Sequence, residues 1–150
     1  MEAITSLFEG MDLAKLTPDL EKLLERIPQV TKWAVMAGPL ILLVLGLVYL
    51  FLPPKEANHR FGFRTWFGMG SVEAWRFTQR LAGLVLGALG LVLTVVMGIL
   101  AMQLGKLEPV EMVSKAITYL LWQAGLILFS YIAICLVVLC TYDRKGRRRR

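Results

Sequence analysis

Apolar residues run through this chain in long blocks, without the regular polar interruptions that mark a helix with one wet face. Three blocks stand out: Trp33 to Leu52, Leu81 to Leu104 and Ile117 to Cys140, none containing Asp, Glu, Lys, Arg or His. Crossing a hydrocarbon layer of about 30 Å takes roughly 20 helical residues. In that layer every backbone polar group must be satisfied inside the segment, which an α-helix does. The pattern predicts an all-α polytopic membrane protein with three transmembrane helices and an amphipathic helical N-terminal segment. Its expected divisions are an amphipathic segment over 1–29, a three-helix membrane domain over 30–142 and a basic tail over 143–150.

Ahead of the first block, Ile4, Leu7, Phe8 and Met11 recur at helical spacing, as do Leu20, Leu23, Leu24 and Ile27. Two short helices are expected, the second capped by Thr17, carrying Pro18 in its first turn and ended by Pro28. An interfacial helix is favoured over an external lid or peptide-docking surface. Within the first span, Pro39 removes a backbone donor, so a kink or a carbonyl satisfied from elsewhere is expected there. Met1 to Gln29 lacks a basic region followed by an apolar core, so the first span is expected to act as its own insertion signal.

The second span has a face of small residues: Gly83, Gly87, Gly90, Thr94, Gly98 and Ala101 follow at intervals of three or four. Hydrophobicity does not draw helices together in lipid, and such a stripe permits close backbone approach instead. It is read as a packing seam, with Gly83, Gly87, Gly90 and Thr94 as its centre. Its partner could equally be another span or a second copy of the chain. In the third span, Tyr119, Trp122 and Tyr142 are read as interfacial aromatics. Gln123 is expected to make an interhelical hydrogen bond, and Cys135 and Cys140 to be apolar fillers.

Charge adds an orientation. The net charge is +6, unevenly placed. The first 32 residues carry more acids than bases, whereas Lys55, Arg60, Arg64, Arg76 and Arg80 outnumber Glu56 and Glu73 in the first connection. The tail sets Arg144, Lys145 and Arg147 to Arg150 against Asp143 alone. Because Lys and Arg concentrate on the cytoplasmic side, the expected location is a bacterial cell membrane, with the N-terminus outside and the C-terminus cytoplasmic. The basic tail suits anionic lipid, not nucleic acid.

Asn58 to Gly83 interleaves aromatics, arginines and glycines in a way ordinary loops do not. Ser71 is placed to cap a helix running from about Val72 through Leu104, with Glu73 in its first turn. Trp75, Gln79 and Gly83 share the face that continues into the glycine stripe. With Asn58, Gly62, Arg64 and Thr65 from the loop, Trp75 and Gln79 make the candidate binding motif. Arg64 is its anion-binding group, because a guanidinium offers a rigid bidentate fork; simple topology anchoring is an equal alternative.

This series resembles the SdpI family of bacterial membrane proteins: an Asn, a Gly-x-Arg-Thr element, a Trp entering a helix, a polar residue about four later and then a Gly. Here these are Asn58, Gly62, Arg64, Thr65, Trp75, Gln79 and Gly83. The resemblance implies a polytopic protein giving immunity to, or sensing, a membrane-active antimicrobial peptide. In the founding member it also implies signalling through a repressor held at the membrane. That member resembles a longer, roughly doubled protein, whereas this chain has one three-span unit and an amphipathic leader.

Catalysis is not expected: the chain has one His and no carboxylate pair, metal-ligand spacing or cofactor motif. The expected partners are the bilayer and its anionic lipids, with a peptide toxin, a cytoplasmic regulator or a second copy as candidates. The alternative function is a non-catalytic assembly subunit or scaffold packing through the small-residue stripe. A transporter is disfavoured because the spans hold no ionisable residue.

Overall fold

The computed structural model describes residues 13–54 and 62–149, with the helix path alone for 13–24. Its three helices are α1 (Leu13–Phe51), α2 (Val72–Leu104) and α3 (Pro109–Thr141). Each contains a stretch long and apolar enough to cross a bilayer: Glu25–Phe51, Val72–Leu104 and Pro109–Thr141. The chain is therefore a multi-pass, all-α membrane protein.

Local chemistry explains where α2 begins and ends. The Ser71 hydroxyl accepts the Ala74 N–H at 3.1 Å and so caps the first turn, where Glu73 also meets the positive end of the helix dipole. At the other end Gly105 forms the C-cap. The Lys32 ammonium reaches that site from α1, bringing a cation to the negative end of the dipole. The short connection then turns into α3, which opens with Pro109 in its first turn.

The first helix departs from expectation. Thr17 does not start a helix and Pro28 does not end one, since α1 runs unbroken from Leu13 through Pro18, Pro28 and Pro39. A proline removes only one backbone donor. At Pro28 the flanking Glu25, Arg26 and Gln29 are exposed, so the other helices do not enclose the chain there. The proposed helix over Ile4 to Met11 lies outside the described residues.

Pro39 is handled differently because it is fully buried. Its missing N–H leaves the Val35 carbonyl without a partner within α1, and the Gln123 side-chain amide of α3 donates to that carbonyl at 3.0 Å. Gly38 makes room, since a Cβ there would sit 2.8 Å from Gln123 Oε1. The expectations for Pro39 and Gln123 thus meet in one bond.

Most inter-helix contact lies between α1 and α2. Gly46 of α1 faces Gly87 of α2 so closely that a Cβ on Gly46 would overlap the Gly87 backbone. A Cβ on Gly83 would fall 2.7 Å from the Leu50 nitrogen, and one on Gly90 2.7 Å from Leu43 Cα. The stripe packs against α1 of the same chain. The tight seam stops short of Gly98, which has nothing within 4 Å of a Cβ position, and the Thr94 hydroxyl donates to its own helix at Gly90.

Candidate functional site

At one end of the bundle the connection between α1 and α2 folds back onto α2. Two α2 residues hold it. Trp75 is completely buried, and its indole N–H donates to the Pro54 carbonyl at 2.9 Å, fixing the chain as it leaves α1. One turn later the buried Gln79 amide grips the loop at Phe63 from both sides. Its Oε1 accepts the Phe63 N–H and its Nε2 donates to the Phe63 carbonyl, each at 2.8 Å. A buried amide whose donor and acceptor are both used in this way stabilises one loop position and penalises others.

Gly62 makes this approach possible. Its φ of +118° lies where side chains are rarely tolerated, and a Cβ would fall 2.7 Å from the Trp75 ring. After Phe63 the chain turns. The buried Thr65 hydroxyl accepts the Gly68 N–H at 3.0 Å, and the Thr65 carbonyl accepts the Met69 N–H at 3.2 Å. Gly68 sits in this turn against the Thr65 and Thr78 hydroxyls, with no space for a side chain.

Gly62, Thr65, Trp75 and Gln79 therefore come together, and the polar groups of Thr65, Trp75 and Gln79 are spent on the loop backbone. Arg64 projects the other way. It is exposed, and its guanidinium has no partner among the described residues. It does not cap the buried cluster from within, because the adjoining Phe63 and Thr65 occupy the inward positions. Trp66, 81% exposed, stands beside it as a projecting ring. Asn58, the remaining motif residue, lies outside the described residues.

The tail completes this end. Tyr142 is expected to be an interfacial aromatic, yet it is 3% exposed, buried by the Phe77 ring at 5.5 Å and by the hairpin that follows. Asp143 starts that hairpin: its carbonyl accepts the Gly146 N–H at 3.0 Å, and its Oδ1 accepts the N–H groups of Lys145 and Arg147 at 2.9 and 2.8 Å. These bonds, Arg147 first, hold the Asp143 carboxyl below the usual carboxylate range. Gly146, with φ +69°, lies against the backbone of Gly70 and Ser71, and its carbonyl accepts the Ser71 hydroxyl at 2.7 Å. Ser71 thus caps α2 and fastens the tail at once. The two basic segments lie at the same end of the molecule, where charge sorting places them.

Sequence reading missed the anchoring roles of Phe63, Asp143 and Gly146. Asp143 and Gly146 do carry a signal, as an Asp followed three residues later by Gly is favourable for a β-turn. Phe63 carries none, because Gln79 recognises its backbone. Its side chain instead meets Tyr131 of α3 at 5.3 Å between ring centroids, tying the loop to the third helix.

No curated protein and no solved structure matches the chain. The family model of the SdpI/YfhL protein family matches residues 55–142. The match takes in the loop, α2 and α3, and with them every residue of the candidate motif. More than half of the sequence is covered, and the chain belongs to the SdpI/YfhL protein family.

Proposed function

We propose that this protein gives a bacterial cell immunity to, or senses, a membrane-active peptide, with Arg64 as the group that meets the peptide. The observation that supports this reading is the contrast within the motif. Gly62, Thr65, Trp75 and Gln79 use their hydrogen-bonding capacity or their space to hold the loop. The charged member of the motif is turned outward. A loop fixed this firmly holds the Arg64 backbone in place, and its guanidinium fork suits recognition of a carboxylate or of a helix C-terminus.

In this reading the loop and tail are cytoplasmic and the N-terminus is outside, following the Lys and Arg bias. The inserted peptide, or a cytoplasmic regulator that responds to it, is engaged without a catalytic step. An assembly subunit acting through the glycine stripe is less well supported, because Gly83, Gly87 and Gly90 already pack against α1.

The test is survival of a peptide-sensitive bacterium making wild type or Arg64→Ala at matched membrane levels, during exposure to a secreted SDP-type peptide. Wild type is expected to protect and Arg64→Ala to lose most of that protection without loss of helix content. Equal protection by both proteins would remove Arg64 from the mechanism. Protection by neither would defeat the immunity reading for that peptide.

A further inference from the structure

Beside the locked loop, the outer side of α2 forms an open groove of about 500 Å³ with the tail. Val72, Glu73, Arg76, Phe77, Arg80 and Tyr142 line it. Arg76 and Arg80 are one turn apart, both exposed, and neither guanidinium forms an ion pair among the described residues. The groove also holds the Glu73 carboxylate, close enough to the Tyr142 phenol for its charge to act there. Burial pushes that phenol up, the Glu73 charge adds to the effect, and nearby Arg148 opposes it. Two guanidinium groups against one carboxylate leave the groove cationic, above an aromatic floor made by Phe77 and Tyr142.

Its place at the edge of the uncharged block points to the occupant. Arg80 is the last charged residue before Leu81 and the uncharged block that follows. The apolar stem of an arginine at such a boundary lies along the helix while its head reaches phosphate level. We propose that this groove is a binding site for the headgroup phosphate of an anionic phospholipid, held between Arg76 and Arg80. The lipid chains would lie along the exposed face of α2 that continues through Leu84 and Leu91. The site is separate from Arg64 and does not rest on immunity to a peptide.

Native mass spectrometry of the full chain, released from micelles supplied with phosphatidylglycerol or phosphatidylcholine, tests the assignment. Wild type is expected to retain phosphatidylglycerol in preference to phosphatidylcholine. The double variant Arg76→Gln/Arg80→Gln should lose about tenfold or more of that retention, given the usual attraction of each basic residue for an anionic surface. Arg147→Gln/Arg149→Gln, which removes two tail charges outside the groove lining, should retain it. Excess inorganic phosphate should displace little lipid; full displacement would replace the lipid with free phosphate as the ligand and overturn the proposal. Equal loss in the groove and tail variants, or no preference in wild type, would also overturn it. A reading on the wild-type chain guards against misfolding of the double variant: a phosphatidylglycerol with a photoreactive headgroup should crosslink within residues 72–80 or at Tyr142. Crosslinks confined to other segments would reject the site.

Discussion

α2 meets α1 on principles opposite to those that hold α3 to the bundle. Toward α1 it presents glycine, and backbone meets backbone at Gly46, Gly83, Gly87 and Gly90. The third helix is held to its neighbours by individual side chains: Gln123 to the Val35 carbonyl of α1, Tyr131 to Phe63 of the loop, and Tyr142 at its end to Phe77. Since lipid supplies no hydrophobic pull between helices, each contact must come from dispersion or a satisfied polar group. Dispersion at near-zero separation needs a continuous small-residue surface and tolerates no added atoms. Side-chain pins tolerate neighbouring change but fail singly when their partner is removed. The first interface sets the frame, and the second positions α3 at a few points.

The largest effect expected from this contrast is at Gly90. Gly90→Leu places a branched side chain where even a Cβ would crowd Leu43, and should cost about 3 kcal/mol or more through displacement of α1. The same change at Gly98, which faces open space, should cost little. Unfolding of both variants in mixed micelles checks this, and similar losses at the two sites would deny the seam its special role.

A smaller effect is expected at the polar pin. Gln123→Leu leaves the Val35 carbonyl unpaired and should cost about 1–2 kcal/mol. Pro39→Ala in the same chain restores an N–H one turn after Val35, so the double variant should recover much of that loss. A double-mutant cycle in the same micelles measures the coupling. Additive losses would mean that the bond to Val35 is not what Gln123 contributes.

The smallest effect concerns the tail, which is held at the surface by Asp143. Its carboxyl is lowered in the folded hairpin. Protons therefore bind the unfolded tail more readily, and the stabilisation is fully present above the ordinary Asp pKa. It is lost as pH falls through the lowered value of the hairpin. Amide resonances of Lys145 and Arg147, followed from pH 6 to pH 2, should shift with a midpoint below the usual Asp range of about 3.9. Asp143→Asn should abolish that midpoint, and a midpoint at the ordinary value would show that the amide bonds do not persist.

Much of this architecture was legible from residue order. The three spans follow from uninterrupted apolar length, the α2 boundary from Ser71 and Glu73, and the seam from glycines at helical intervals. The candidate motif was legible as a cluster, because Trp75 and Gln79 share a helix face and the resemblance drew in Gly62, Arg64 and Thr65. What each does was less legible. Arg64 and Thr65 are adjacent in sequence, yet the turn sends one outward and the other inward.

The sequence by itself determined that the chain crosses a membrane three times, that α2 carries a close-packing face, and that two basic segments share a side. These properties depend on local composition and period, which any stretch of sequence displays directly. Only the tertiary structure decided that the stripe meets Gly46, that Gln79 grips Phe63, that Gln123 repairs the gap left by Pro39, and that the tail fastens to Ser71. Three of these four contacts are hydrogen bonds ending on backbone carbonyls, at Phe63, Val35 and Gly146. Every residue carries such a carbonyl, so residue identity does not mark which one a distant side chain will reach; that is settled when the helices pack.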